Sequence, residues 1–156
     1  RRMERLRENL ARTGFAAQVI AADALEWQPD APFDAILLDA PCTATGTCRR
    51  HPDALHRIGD AQITEMAGLQ ARLLERAATW LAPGGRLVYA VCSLEREEGQ
   101  GQVPLVALAL DPILASELPK GLAPTPEGWL CTDPGMLADK GGLDGFFIAR
   151  FVNKPV

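Results

Sequence analysis

Long apolar runs are missing from this sequence: nothing in its 156 residues approaches the roughly 20 consecutive apolar residues that carry a helix across a bilayer. The opening residues, Arg1 to Arg7, are charged and are followed by no apolar signal segment, which points to a cytoplasmic protein. Cysteine is sparse. The four present, at positions 42, 48, 92 and 131, show no CxxC metal spacing and are too few for a disulfide framework, so they read as reduced thiols. Excess positive charge is also lacking. A net charge of -4 and a pI near 5.2 exclude a wholly basic nucleic-acid binder and confine any such contact to a local patch. Finally, no GxGxxG-type turn stands between a strand and a helix, because Pro83-Gly84-Gly85 follows a helical pattern rather than a strand.

What is present is a 47% apolar chain, enough for one core and a single domain over residues 1–156. Met3, Leu6 and Leu10 recur at helical spacing before Gly14, predicting an amphipathic helix over 1–13. Apolar runs at 17–22 and 34–38 end in Asp23 and Asp39 and read as buried strands. A turn-rich stretch follows, then Ile63, Met66, Ala67, Leu73, Leu74, Ala77 and Leu81 line one side of a helix over 60–81. Residues 86–92 suit a strand buried on both faces. The second half of 94–110 reads as helical, 146–152 as a last strand, and 128–132 as its partner. Helices alternating with apolar strands imply a mostly parallel α/β sheet with ligands at the carboxyl ends of its strands.

Two thiols stand at such ends: Cys42, in Asp39-Ala40-Pro41-Cys42, and Cys92, in Cys92-Ser93. A cysteine taken alone is usually a small buried hydrophobe. Cys48 and Cys131 have nothing in their context to raise them above that. For Cys42 and Cys92 the surroundings do.

Asp39-Ala40-Pro41-Cys42-Thr43-Ala44-Thr45-Gly46 with Arg49-Arg50-His51-Pro52-Asp53, and Val88-Tyr89-Ala90-Val91-Cys92-Ser93-Leu94-Glu95 with the acidic run through Glu98, resemble the fourth and sixth motifs of the Sun/Nop-type RNA cytosine-C5 methyltransferases. Leu69-Gln70 and Trp80-Leu81-Ala82-Pro83-Gly84-Gly85 lie between them in family order, and Asp144-Gly145-Phe146-Phe147 resembles the closing motif. The likeness covers nearly the whole chain and is strongest to the bacterial Sun-type ribosomal RNA enzymes. Three departures stand out: Thr43-Ala44 replaces Ser-Gly, Val91 replaces Thr, and Gly99 replaces Asn.

The resemblance implies a Rossmann-like class I methyltransferase sheet, incomplete, lacking the first two strands and the glycine-rich cofactor loop. It implies S-adenosylmethionine as methyl donor, RNA, in particular ribosomal RNA, as partner, and Cys92 as the thiolate that adds to C6 of cytosine. It ties Cys42 to release of the product and places Asp39 near both the base and the cofactor. Asp23, in Ala22-Asp23-Ala24, matches the family position that contacts the adenine amino group, although a cap or turn is the ordinary use of such an aspartate. Arg49, Arg50, His51 and Arg57 form the one basic loop and are candidates for RNA phosphates. With two strands absent, self-association or disorder is expected near residues 1–30, and a non-catalytic fragment unable to bind cofactor alone is the rival reading. An enzyme acting on an exocyclic nitrogen would carry an aromatic residue where Cys42 stands.

Overall fold

The computed structural model describes residues 2–154, with side chains from Met3 onward. Helix α1 spans Arg2–Thr13 and stops where expected. Gly14 takes φ 72°, its amide donating to the Ala11 carbonyl and that of Phe15 to Leu10, a left-handed cap that glycine adopts without steric cost.

Residues 17–22, expected as a strand, form no ladder. Their two-residue period survives, since Gln18, Ile20, Ala22 and Ala24 line a cleft of about 650 Å³ with Phe33 and Trp80. An alternating apolar segment becomes a strand only against a neighbour, and among the described residues none reaches it. The cleft lies between this segment and β1, Phe33–Asp39, the strand expected at 34–38.

A short helix α2, Ala54–Arg57, leads to α3, Asp60–Thr79, whose inner face buries Gln70, Leu73, Leu74 and Ala77. The next strand, β2, Leu81–Val91, begins earlier than the sequence suggests. Phe33 pairs with Leu81, Pro83 and Gly84 then bulge out, with Gly84 at φ 80°, and the ladder resumes at Ala35 against Arg86. The turn expected after the helix is thus a bulge inside the strand. Burial is one-sided. Leu87, Tyr89 and Val91 are wholly buried under α3, while Val88 and Ala90 on the other face are only half-buried, against the expectation of a strand covered on both faces.

The stretch 94–110 forms no α-helix. A 3-10 segment at Gln100–Leu105 and the two-residue strand β3, Ala109–Leu110, replace it, because Gly99, Gly101 and Pro104 each weaken or block a helical backbone there. The last two strands, β4, Leu130–Thr132, and β5, Phe146–Val152, were both legible. The sheet order is β1-β2-β5-β3, with β4 also on β5. β1 and β2 run parallel, while β5 lies antiparallel to β2, β3 and β4. This is a partial Rossmann-like sheet whose edges, among the described residues, are β1, where Leu37 is 71% exposed, and the short strands β3 and β4.

Candidate active site

Parallel pairing sets the site before any side chain is considered. Asp39 ends β1 opposite Ala90 of β2, so Cys42 and Cys92, a few residues further along each chain, leave neighbouring strand ends together. The Ala40 amide donates to the Ala90 carbonyl at 3.1 Å and carries the pairing past the end of β1. The two sulfurs stand 3.5 Å apart, both free thiols and both half-buried.

Their ionisation is asymmetric. The hydrogen bond from the Cys42 thiol holds Cys92 below the ordinary thiol range, at about 7, aided by its own backbone amide and opposed by burial and by the carboxylates of Asp39 and Glu98. Cys42, as donor of that bond and by burial, is pushed well up. The two thiols titrate as a pair, Cys92 being the one more readily ionised.

A buried carboxylate lies beneath the two thiol-bearing loops. Glu98 is wholly buried. Its Oε1 accepts the Thr43 amide at 2.9 Å and Gln70 Nε2 at 3.1 Å; its Oε2 accepts the Thr43 hydroxyl at 2.5 Å and the Ser93 hydroxyl. Gln70 also donates to the Pro41 carbonyl at 2.9 Å, and the Tyr89 hydroxyl donates to the Glu98 carbonyl at 2.6 Å. Thr43 therefore keeps the hydroxyl of the serine it replaces. Val91, in contrast, lies in the apolar core.

Closing the site, the Gly46 amide donates to the Cys92 carbonyl at 3.1 Å and the Gly145 amide to the Gly46 carbonyl at 2.7 Å. Asp144 accepts Arg50 Nε at 2.8 Å and lies 3.6 Å from Arg49, so the basic loop is tied to the start of β5. Arg57 pairs with Asp53 at 3.0 Å. These guanidinium groups remain exposed, though none of the three is without an acidic partner. A cleft of about 290 Å³ beside Thr43 is lined by His51, Asp53, Arg57 and Gln62.

Of the residues singled out in the sequence, Cys42 and Cys92 meet, and Asp39 sits exposed at the end of β1, close enough for its charge to act on Cys92. Asp23 is exposed and makes its bonds within its own turn, its Oδ1 accepting the Leu25 amide at 2.9 Å and its carbonyl the Trp27 amide at 2.8 Å. That is the cap-like use of the residue, and it joins none of the thiol site's hydrogen bonds. Glu98 and Gln70 were missed. Their signals were an acidic residue six positions after the thiol and a polar residue inside the apolar stripe of α3.

A family profile described as 16S rRNA methyltransferase RsmB/F matches residues 1–152. The chain belongs to that family. It is 37% identical over 155 residues to ribosomal RNA small subunit methyltransferase B of Shewanella oneidensis, covering 97% of this chain and 35% of that protein. To the protein of the same name from Salmonella paratyphi B it is 39% identical over 158 residues, covering 98% and 34%. The chain thus spans about a third of the length of these RsmB/F relatives. Among solved structures, NSun6 from Pyrococcus horikoshii with SFG superposes at TM-score 0.83 with 28% identity, covering 99% of this chain and 39% of that one. A methyltransferase homologue from the same organism gives TM-score 0.70 with 32% identity, covering 97% and 50%. The chain is similar to only part of each of these larger proteins.

Proposed function

We propose that the protein carrying this chain transfers a methyl group from S-adenosylmethionine to C5 of a cytosine in ribosomal RNA, with Cys92 as nucleophile. The observation behind this reading is the pair of sulfurs 3.5 Å apart on adjacent parallel strand ends, with Cys92 near 7. Cytosine C5 is too weak a nucleophile to take a methyl group unaided, and a thiolate adding at C6 breaks the C5–C6 double bond and places the electron pair on C5.

The pair supplies both halves of this chemistry. With its pKa near 7, Cys92 is substantially ionised at neutral pH, the hydrogen bond with Cys42 favouring its thiolate. Once the Cys92 sulfur is bonded to C6 the hydrogen bond that held the proton on Cys42 is gone; that proton passes to solvent, and the Cys42 thiolate then takes the C5 proton. The electron pair left by that proton re-forms the double bond and expels the Cys92 thiolate. Asp39, exposed at the end of β1, would hydrogen-bond the N3 edge of the base as charge develops there.

For S-adenosylmethionine the residues present fit in part. Asp39 and Asp23 are exposed carboxylates that would serve the methyl side and the adenine amino group; when bound, the cofactor supplies an electrophilic methyl. Among the described residues no strand passes through a glycine-rich turn into a helix, so this chain alone is the weak or inactive portion of its site. RNA would approach over Arg49, Arg50 and Arg57, competing with Asp144 and Asp53. No helix among the described residues is long and apolar enough to cross a membrane, and a cytoplasmic setting is part of this proposal. So is self-association of the isolated chain through the free edge of β1.

The test is a pair of variants in the full-length protein. Cys92→Ala should abolish methyl transfer, whereas Cys42→Ala should still attack C6 and remain covalently attached to RNA that can no longer leave. Free methylated product from Cys42→Ala would assign release to another group.

A further inference from the structure

We infer that Glu98 is the positioning residue that holds the two thiols at reacting distance, with Gln70 as its brace. The inference rests on the reading of Cys42 and Cys92 as the reacting pair. Three elements converge on this one carboxylate. The loop after β1 sends the Thr43 amide and hydroxyl, the loop after β2 sends the Ser93 hydroxyl, and α3 sends the Gln70 amide. Thr43 directly follows Cys42 and Ser93 directly follows Cys92, so each loop is gripped one residue beyond its sulfur.

The grip is redundant on both sides. Gln70 bonds the Pro41 carbonyl as well, fixing the residue before Cys42. Ser93 accepts the Glu95 amide at 3.1 Å, and the Thr45 hydroxyl accepts the Leu94 amide at 3.0 Å, fixing the turn after Cys92. Tyr89, inside β2, donates to the carbonyl of Glu98 itself and ties the clamp to the sheet.

A carboxylate suits this task because it accepts several donors at once and has none of its own. Its burial is sustained only while those donors point at it. Glu98 is wholly buried beneath the loops rather than exposed in the cleft, so it orients the reacting groups without touching substrate. Its negative charge opposes ionisation of both thiols, a cost that a residue chosen to activate them would not impose.

The test reads thiol proximity directly in the full-length protein, without reference to methyl transfer. An azo oxidant of the diamide class takes two electrons and two protons from a pair of adjacent thiols and leaves a disulfide. The Cys42–Cys92 linkage is then quantified by mass spectrometry after proteolysis. Glu98→Ala should slow this linkage by about tenfold or more, in keeping with the sensitivity of reacting groups to displacements near 1 Å. Glu98→Gln, which keeps an acceptor for the Thr43 amide and offers a donor to hydroxyls able to reverse, should stay within about threefold of the parent. Should Glu98→Ala not fold, Thr43→Val removes one of the gripping hydroxyls at nearly constant shape and should slow the linkage in the same direction. Linkage at the parental rate in Glu98→Ala, or in a folded Thr43→Val where Ala is lost, would overturn the positioning role. Slowed linkage with methyl transfer intact would uphold the clamp and overturn the covalent reading of the thiols.

Discussion

Gly46 and Gly145 lie backbone against backbone. A Cβ built on Gly46 would stand 2.0 Å from the Gly145 carbonyl oxygen, and one on Gly145 would stand 2.4 Å from a Leu94 methyl. The loop after β1, the turn after β2 and the start of β5 can meet only because neither residue carries a side chain.

Gly46→Ala should therefore destabilise the fold by about 3 kcal/mol, since backbone on both sides cannot yield as a flexible side chain would. Gly68, in the middle of α3 with open space around it, gives the contrast. Gly68→Ala should stabilise by about 0.5–1 kcal/mol, because alanine has less conformational freedom than glycine to lose when the unfolded chain becomes helical. Denaturant unfolding of the two variants should shift in opposite directions.

Ala44 sits at φ 58°, in the left-handed region, at the position where the resembling motif has glycine. An L-residue there costs about 1–2 kcal/mol, partly offset by the extra chain entropy that glycine loses on folding. Ala44→Gly should raise the unfolding midpoint by the equivalent of up to about 1 kcal/mol. An unchanged or lower midpoint would mean that the loop relaxes out of this conformation.

The thiol pair gives a pH signature. Cys92, near 7, should be alkylated by iodoacetamide with a rate that rises through neutral pH and levels off above it. The hydrogen bond from Cys42 is the largest cause of its lowering. Removing that donor in Cys42→Ala should move the midpoint upward and reduce the rate at pH 7. A midpoint unchanged by Cys42→Ala would separate the two thiols chemically.

Much of the fold was legible because periodicity alone decides it. The strands at β1, β2 and β5, the buried face of α3 and the glycine stop after α1 all follow from local pattern. The segment 17–22 shows where pattern is insufficient: its alternation is real, yet a strand is a pairing, and the partner must come from outside the segment. The second half of 94–110, expected as helical from its apolar residues, is not, because Gly99, Gly101 and Pro104 weigh against a helical backbone over more of the stretch than its start. The reacting residues announced themselves through ordered motifs. Glu98 and Gln70 stood within the same motifs without a legible role, because burying a carboxylate depends on donors 55 and 28 positions away that only the fold brings to it. Distance in sequence likewise hid the contact of Gly46 with Gly145.

The 156-residue chain by itself should show no saturable binding of S-adenosylhomocysteine at micromolar concentrations. Asp39 and Asp23 serve two sides of such a ligand, while a pocket that buries most of a small molecule needs further walls. Isothermal titration measures this. A micromolar dissociation constant at one site per chain would mean that a second copy, or α1 rearranged over the open cleft, completes the pocket.

The central claim, that Cys92 is the sulfur that bonds to the base, is tested most directly with RNA carrying 5-fluorocytosine, whose C5 fluorine cannot leave as a proton does. Incubated with the full-length protein and S-adenosylmethionine, this RNA should form a stable covalent complex, and mass spectrometry of the digested adduct should place the nucleotide on the peptide containing Cys92. The complex should vanish in Cys92→Ala and persist in Cys42→Ala. A nucleotide attached to Cys42, or an adduct surviving Cys92→Ala, would contradict the account.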